Sequence, residues 1–454
     1  MNNGDKMRDY EKTEVLDFNS IKLVVKDRRK IFLRTIPLLL IPGLLVLTII
    51  STHSKKLLIT PVSYLIYILL ALFIYLLFLG FYIFKNDKKK KKKKKSKKKS
   101  EKKKKISIFN IFIYVYVIGC SGFIFTLYGP ISTFKNWLIS TSMSTMSHKY
   151  ICQWFYSDTE ITKVLDSNYI VEVDEETDTD LIKVEIPKEE VKYANEYEKQ
   201  VLEREKDQPY KIIEMKVNDQ DAYLAVIYDP SKVKVAASKG IGRKGQYATK
   251  IAEYSDALLA VNGGGFGNAP GDTTGGVPTG VTIIDGKVIS NYNPNIQSGG
   301  LIGLTNENKL VLMKNTNAYE AIKQGVRDGV TWGPFLIING KKSFIEGNGG
   351  WGYAARTAIG QRSDGIILLL VVDSNSTRTK GAGMKDLTDI MSNYGAINAA
   401  NLDGGTSSVM VLPKNEALKY IDYCPNAYCY INDPIDSTLS HKTRGIATTI
   451  VLTK

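Results

Sequence analysis

Three long apolar runs before residue 130 constrain the fold of this chain most strongly. They are Ile31 to Ser51, which contains Arg34, and the uncharged runs Leu57 to Phe84 and Ile106 to Pro130. A bilayer core of roughly 30 Å is crossed by about 20 apolar helical residues, and each run reaches that length. Three such runs in succession favour membrane spans over core helices. No small-residue cleavage site follows the first run, which argues against a cleavable signal peptide.

Basic residues around these runs predict their orientation. Residues 1–34 carry nine basic side chains and residues 85–105 carry 16 lysines, whereas only two lysines separate the first two runs. The positive-inside rule places both basic segments in the cytoplasm. We therefore expect a multi-pass plasma-membrane protein with a cytoplasmic tail at 1–30, a three-helix anchor at 31–130 and an extracellular C-terminal part.

The net charge of +15 is concentrated in one segment. Residues 85–105 contribute +14, from 16 lysines and two acids, whereas residues 129–454 hold 34 basic and 38 acidic side chains. A nucleic-acid-binding protein is expected to spread its charge over a folded basic face, so we expect no nucleic-acid partner. The lysine loop predicts attraction to anionic lipid headgroups. The alternative is a disordered, solvated topology anchor.

The extracellular part divides into a connector and a globular domain. Residues 131–205 combine an acidic patch with a charged segment typical of an exposed helix, so they predict a helical stalk or linker. After Pro209, short β-rich runs alternate with turns such as Asp285-Gly286 and Asn339-Gly340, which suit hairpins. Residues 206–454 therefore predict a mixed α+β domain, and the whole chain is assigned to the α+β class.

One segment of that domain predicts a β-α-β crossover. The continuous apolar run Gly365 to Val372 is typical of a strand buried on both faces. A helical pattern follows from Met384, and Ala396 to Leu402 forms a second apolar run. If the two strands are neighbours, their C-terminal ends lie side by side. Those ends carry Asp373 and Asp403.

Three polar clusters are candidates for chemistry. They are Asn262 to Asn268, Arg356 to Gly360 and Asn401 to Ser408. Glycine-rich turns at strand ends expose backbone N–H groups that form anion-binding nests. The clusters fit neither the dinucleotide-binding G-x-G-x-x-G pattern nor a Walker lysine motif nor a G-x-S-x-G nucleophile elbow.

Histidine and cysteine usage narrows the remaining chemistry. The chain has only three histidines, which excludes a histidine-rich metal site, and we expect neither a metal nor a cofactor. Cys424 and Cys429 are spaced to close a small disulfide loop in an oxidising compartment.

At these clusters the sequence resembles the phosphodiester glycosidase family, typified by the N-acetylglucosamine-1-phosphodiester α-N-acetylglucosaminidase. The resemblance covers about residues 210–454. The residues that carry it are Ala260 to Gly264, Gly333-Pro334, Arg356 to Gly360, Val371 to Asp373, Asn401 to Gly405, Ser407, Ser408 and Arg444.

The resemblance implies hydrolysis of a sugar–phosphate diester at the anomeric carbon. Such a reaction needs a carboxyl group, often with a second carboxylate opposite, and a positive clamp on the phosphate. It implies Asp403 as the acid/base or nucleophile, Asp373 as its partner, and Arg356 and Arg444 as phosphate ligands. The remaining residues implied to bind substrate are Asn262, Gly263, Gly264, Thr357, Asn401, Gly404, Gly405, Ser407 and Ser408.

The leading hypothesis is a membrane-anchored hydrolase of glycosyl phosphodiesters in surface polysaccharide. Gly265, Ser374 and Thr406 depart from the family pattern. They favour an alternative, a catalytically inactive module that binds glycan or phosphate during envelope polysaccharide assembly or export. Structural alternatives also stand for single residues. Asp403 is suited to capping a tight turn, and the roles open to Trp332 and Trp351 are sugar stacking and core packing. The oligomeric state stays open.

Overall fold

The computed structural model describes the chain as two compact units. The described residues are 18–54, 64–72, 74, 108–144, 149–184, 193–271, 273–292, 298–374, 381–434 and 443–454. One unit comprises Met1–Leu138 and Ser147–Ile161, and the other comprises Ile139–Met146 and Thr162–Lys454.

Long helices dominate the N-terminal part of the chain. Phe18–His53 and Ile108–Tyr128 form two helices, and within them the windows Ile36–His53 and Ile111–Tyr128 are long and apolar enough to cross a membrane. Of the three predicted spans, therefore, two have a matching described helix. The second, Leu57 to Phe84, is described only at residues 64–72 and 74, which are helical, and the lysine loop lies outside the described residues.

Shorter helices are distributed through the rest of the chain. Their bounds are Ser132–Ser144, Tyr150–Gln153, Asp158–Asp166, Glu196–Leu202, Ala248–Tyr254, Ala318–Lys323, Met384–Asn393 and Lys414–Ala417. Short 3₁₀ turns lie at Thr179–Leu181, Pro230–Lys232 and Gly405–Ser407.

The second unit is built from β-strands. In chain order they are β1 (Ile170–Val171), β2 (Tyr210–Val217), β3 (Gln220–Ile227), β4 (Val233–Ala237), β5 (Leu259–Asn262), β6 (Phe266–Gly267), β7 (Val277–Pro278), β8 (Thr282–Ile284), β9 (Lys287–Ser290), β10 (Gly300–Thr305), β11 (Leu310–Met313), β12 (Val326–Trp332), β13 (Phe335–Ile338), β14 (Lys341–Lys342), β15 (Phe344–Ile345), β16 (Arg356–Arg362), β17 (Ile367–Val372), β18 (Ala396–Asn401), β19 (Met410–Pro413), β20 (Tyr428–Tyr430) and β21 (Thr448–Leu452).

These strands form three larger antiparallel sheets. Their strand orders are β14-β13-β18-β16-β17-β3-β2, β11-β10-β12-β8-β9 and β20-β19-β5-β21-β4. Two-stranded pairs β1–β15 and β6–β7 complete the described sheets. With the helices, this architecture confirms the mixed α+β class of the globular part.

The predicted turns and the predicted buried strand are present. The hairpin β8–β9 turns at Asp285 and Gly286, and β13–β14 turns at Asn339 and Gly340, all with positive φ. Strand β17 is buried along its whole length. Because side chains alternate across a strand, its alternate residues enter two different cores. One core is shared with the other two larger sheets, and the other is shared with the helix Met384–Asn393.

The two strands of the predicted crossover are not neighbours. Strand β16 lies between β17 and β18 and pairs antiparallel with both, so β17 and β18 run parallel to each other. Adjacent strands lie about 4.8 Å apart, which places the two strand ends about 10 Å from each other across β16. Asp373 and Asp403 therefore follow strands that end at the same edge of the sheet, with Arg356, the first residue of β16, between those ends.

Part of the predicted stalk is packed into the second unit. Strand β1 pairs with β15, and the buried Glu172 carboxylate accepts a hydrogen bond of 2.6 Å from the backbone N–H of Phe335. The Thr177 hydroxyl bonds both the N–H and the C=O of Leu312 at the edge strand β11. The compact unit thus includes residues well before 206, where we expected the globular domain to start.

The predicted cysteine loop is closed in the structure. Cys424 and Cys429 form a disulfide, and Cys429 lies in the short strand β20. The bond ties the turn that follows the helix Lys414–Ala417 to the edge of the third sheet, because β20 pairs with β19.

Candidate active site

The buried side chain of Asn262 joins the three polar clusters. Its Oδ1 accepts hydrogen bonds from the Thr357 hydroxyl at 2.7 Å and from the Val409 N–H at 3.1 Å. Its Nδ2 donates to the backbone C=O of Asp403 at 2.6 Å. Asn262 ends β5, Thr357 lies in β16 and Asp403 follows β18, so one amide holds three distant turns together. These contacts occupy the amide that we expected to face substrate.

The glycine turn after Asn262 supports the Asp403 loop from one side. The N–H of Asp403 donates to the C=O of Gly263 at 3.1 Å. The N–H groups of Gly263 and Gly264 donate to the backbone oxygen and the hydroxyl of Thr448. A Cβ at Gly263 would come within 2.5 Å of the Thr448 hydroxyl. The turn therefore needs glycine for close packing, and these two amides have partners within the protein.

The Asp403 carboxyl group lies where the clusters meet. It accepts hydrogen bonds from the Ser407 hydroxyl and the Gly404 N–H, and Arg444 and Arg356 attract its negative charge. The residue is partly exposed, yet desolvation outweighs these contacts and raises its pKa from 3.8 to about 6. Such a group exchanges its proton near neutral pH.

Arg356 is buried on the helix-covered side of the sheet. Its Nε donates to the C=O of Ala382 at 3.2 Å, and its Nη2 donates to the C=O groups of Trp351 at 2.6 Å and Gly352 at 3.0 Å. Burial lowers its pKa to about 10. Its Nη1 lies beside Gly404, 3.4 Å from where a Cβ would stand. Three hydrogen bonds from Arg356 thus hold backbone C=O groups of neighbouring loops, and its Nη1 atom lies beside the Asp403 turn.

Arg444 occupies a different setting. Its guanidinium carbon lies 4.8 Å from the centre of the Phe266 ring, a cation–π contact, and its charge acts on Asp403. The side chain is partly exposed. Within the described residues its guanidinium has no hydrogen-bond partner. Of the two predicted phosphate ligands, Arg444 therefore has the larger number of open donors.

Asp373 is held by a segment that the sequence did not single out. Its Oδ1 accepts from Asn432 Nδ2 at 2.7 Å, and its Oδ2 accepts from the Asp433 N–H at 2.9 Å. It is 7% exposed, and desolvation raises its pKa to about 6. Asn432 also donates to the C=O of Ser408. No hydrogen bond or ion pair joins Asp373 to Asp403 in the described part of the chain.

The other predicted residues differ in whether their polar atoms have hydrogen-bond partners. Asn401 donates through Nδ2 to the C=O of Gly333 at 2.7 Å. Its Oδ1 and the Ser408 hydroxyl are buried and have no hydrogen-bond partner among the described residues. The N–H of Gly405 donates to the C=O of Ala355. These residues shape the loop around Asp403, and two of their polar atoms lack a partner there.

Neither a metal cluster nor the cavity described next marks this site. No group of three or more His, Cys, Asp or Glu side chains is arranged to hold a metal ion among the residues that the structure describes. A cavity of about 850 Å³ lies elsewhere, bordered by residues of the β10–β11 edge and by the acidic side chains of Asp174, Glu175 and Glu176. It contains none of the predicted site residues.

Residues 255–453 match the family model described as phosphodiester glycosidase. That range contains every predicted site residue, so the resemblance seen in the sequence is confirmed for this segment. A relative, the SPbeta prophage-derived uncharacterized protein YomE of Bacillus subtilis (strain 168), is 29% identical over 165 residues, covering 35% of this chain and 24% of that protein. The chain thus spans about a quarter of the length of that relative.

Two solved structures are also similar to this chain. The zebrafish N-acetylglucosamine-1-phosphodiester α-N-acetylglucosaminidase catalytic domain, auto-inhibited by its pro-peptide, has a TM-score of 0.41 and 21% identity, covering 55% of this chain and 85% of that one. A hypothetical protein from Synechocystis has a TM-score of 0.34 and 14% identity, covering 53% and 61%.

Replacing Asn262 by alanine should lower stability strongly. The change leaves a hydroxyl, an N–H and a C=O buried without partners, and each such group costs about 1–3 kcal/mol. We expect a loss of about 3 kcal/mol or more in the free energy of unfolding, measured by urea denaturation of the detergent-purified protein. Asn306→Ala, at an exposed side chain, is the matched control. Equal stability of the two variants would contradict the linking role of Asn262.

Asp373 should make stability depend on pH between about 4 and 6. Its folded-state pKa of about 6 lies above the ordinary 3.8, so the folded chain binds the proton more tightly in this window. Stability is therefore highest at the acidic end and falls by about 3 kcal/mol for this group as pH rises through 6.

Asp403 contributes a similar fall, because its pKa is raised to the same value. Asp373→Asn should remove about half of the combined fall in stability that Asp373 and Asp403 cause as pH rises. Asp422→Asn, at an exposed residue, should leave that fall unchanged. Melting temperatures across this pH range test the difference. A full wild-type slope in Asp373→Asn would show that Asp373 does not titrate there.

Proposed function

We propose that this chain is a membrane-anchored, extracytoplasmic hydrolase of sugar-1-phosphodiester bonds in cell-surface polysaccharide. One observation carries the proposal. The carboxyl group of Asp403, with a pKa near 6, is attracted by the charges of Arg444 and Arg356, and its turn is bonded to Asn262 and Gly263 of another polar cluster. All of these residues lie in the segment that matches the phosphodiester glycosidase family.

The chemistry of this bond fits that arrangement. Water adds to the anomeric carbon while the bond from that carbon to the phosphate oxygen breaks, giving a free sugar and a phosphomonoester. A carboxyl group with a pKa close to the working pH is suited to transfer the proton involved. In the proposal Asp403 supplies or accepts that proton, and the Ser407 hydroxyl and the Gly404 N–H fix its orientation.

Two guanidinium groups would balance the phosphate charge. The Arg444 guanidinium has no hydrogen-bond partner among the described residues and stacks on Phe266, and the Nη1 atom of Arg356 lies next to Gly404. Planar guanidinium forks suit phosphate oxygens well. A phosphate between them would take over part of their attraction for Asp403. That change raises the carboxyl pKa further and favours the protonated, acid form.

Asp373 is proposed as the partner carboxylate. It follows the strand two positions away from β18, at the same sheet edge. Both of its oxygens accept hydrogen bonds from residues 432 and 433. Its support of that segment keeps Asn432 bonded to Ser408 in the Asp403 loop.

The competing function is a catalytically inactive module that binds glycan or phosphate. The internal use of donors favours it, because Asn262, the Gly263 and Gly264 amides and three Arg356 donors all bond the protein itself. Such a module would keep the anionic site and lack proton transfer.

The proposed location rests on the apolar helices and the disulfide. The windows Ile36–His53 and Ile111–Tyr128 suit membrane crossing by length and composition. The Cys424–Cys429 bond is expected in an oxidising compartment. Both features support a globular part outside the cytoplasm, next to surface glycans.

Asp403→Asn should abolish most turnover while binding survives. Loss of a positioned proton donor or acceptor costs about 10²–10⁴-fold in rate. We expect that drop with UDP-N-acetylglucosamine or an aryl phosphodiester of N-acetylglucosamine as substrate, and a wild-type rate that changes around pH 6. Asp422→Asn serves as the exposed control. Equal rates in wild type and Asp403→Asn would remove Asp403 from the mechanism, and binding without any wild-type turnover would establish the module.

A further inference from the structure

Two tryptophans form an aromatic pair at the border of the Asp403 site. Trp332 ends β12 and Trp351 lies in the loop before β16. Their ring centroids are 6.1 Å apart with an interplanar angle of 70°, an edge-to-face arrangement. Both side chains are partly exposed. In the described part of the chain, neither indole N–H donates to a protein acceptor.

Each indole is anchored on one side by a different core. Trp332 packs against the core shared by the three larger sheets, and Trp351 packs against the core under the helix Met384–Asn393. A ring buried for packing alone would normally satisfy its N–H within the protein. Here each ring packs against a core, both residues stay partly exposed, and neither indole N–H donates to an acceptor among the described residues, which suits a binding wall.

Backbone contacts connect Trp332 to Asp403. The Gly265 N–H donates to the C=O of Thr331 at 3.1 Å. The six-membered ring of Trp332 fills the side-chain position of Gly265, since a Cβ there would lie 1.9 Å from two ring atoms. Two residues earlier, the C=O of Gly263 accepts from the Asp403 N–H.

Trp351 is connected to the Asp403 turn through Arg356. Its C=O accepts from Arg356 Nη2 at 2.6 Å, and the Nη1 of that arginine lies beside Gly404. With the Gly263–Gly265 turn and the contact of the two indoles, these links close a circuit. The circuit therefore links the Asp403 turn to both indoles.

We propose that Trp332 and Trp351 form the subsite for the pyranose ring of a glycosyl phosphodiester, an inference that rests on the proposed function. One face of a hexopyranose is lined by C–H groups and its rim carries hydroxyls. Ligand sites combine aromatic surface with a few placed polar groups, and an indole offers both an apolar body and an N–H donor. The sugar lies against the indoles, and the phosphate lies toward Arg356 and Arg444.

This subsite assigns a specificity role to Gly265. The Trp332 ring holds its position only because residue 265 has no side chain. Gly265→Ala should therefore displace the ring and weaken sugar binding without replacing any side chain of the site. This variant tests the sugar subsite a second time, through a residue that has no side chain to bind the ligand.

The test compares a ligand with and without its sugar. Two full-length proteins in detergent are compared, Asp403→Asn and the double variant that also carries Trp351→Ala. Each is titrated calorimetrically with UDP-N-acetylglucosamine and with UDP. We expect Trp351→Ala to weaken UDP-N-acetylglucosamine binding at least about tenfold, as is common for central tryptophans, and to leave UDP binding unchanged. Trp351→Phe should restore most of the affinity. Tyr423→Ala, a 76% exposed aromatic residue, should change neither.

The opposite outcomes are separable from failure of the proposed function. The sugar subsite is overturned if Trp351→Ala weakens the binding of UDP-N-acetylglucosamine and of UDP equally. It is also overturned if neither Trp351→Ala nor Gly265→Ala changes the affinity for UDP-N-acetylglucosamine. Both conclusions hold even if wild type turns the substrate over. Sugar-dependent binding that needs Trp351, with no turnover by wild type, supports the subsite and removes the hydrolase. No binding of the sugar nucleotide to Asp403→Asn overturns the subsite.

Discussion

The geometry of the site depends on the hydrogen bonds of one side-chain amide, that of Asn262. It bonds the Thr357 hydroxyl, the Val409 N–H and the Asp403 C=O at once, so a single buried group fixes turns that follow or belong to three different strands. Buried polar groups must find partners, and here Thr357 and Asp403 lie in the other two clusters and Val409 directly follows the third. The position of the Asp403 carboxyl group follows from that network, because its own backbone is one of the bonded groups.

Desolvation and charge then set the properties of the acids. Protein around Asp403 raises its pKa, and Arg356 and Arg444 oppose the rise. Asp373 is raised to the same range although both of its oxygens accept hydrogen bonds. The sheet keeps the two acids on separate strands with β16 between them. Asp403 is thus influenced by two cations and Asp373 by hydrogen bonds from residues 432 and 433, so the two acids have different environments at the same end of the sheet.

Local sequence patterns predicted much of this fold. The Asp285-Gly286 and Asn339-Gly340 hairpins and the buried strand β17 follow from turn chemistry and apolar continuity. Long-range order did not follow, because nothing local places β16 between β17 and β18. For the same reason the role of Asn432 could not be predicted, because only the folded chain places this polar residue next to Asp373. Residue spacing also does not say that Arg356 donors are used by carbonyls, or that the Trp332 ring fills the space at Gly265.

In the proposed complex, three glycine-flanked turns meet around one anionic carbohydrate. A crystal structure of Asp403→Asn with a bound glycosyl phosphodiester would show whether they do. We expect a phosphate oxygen within hydrogen-bonding distance of the Arg444 guanidinium and the anomeric carbon next to residue 403. Ligand bound instead in the acidic cavity by Asp174 and Glu175, with the Asp403 turn empty, would contradict this expectation.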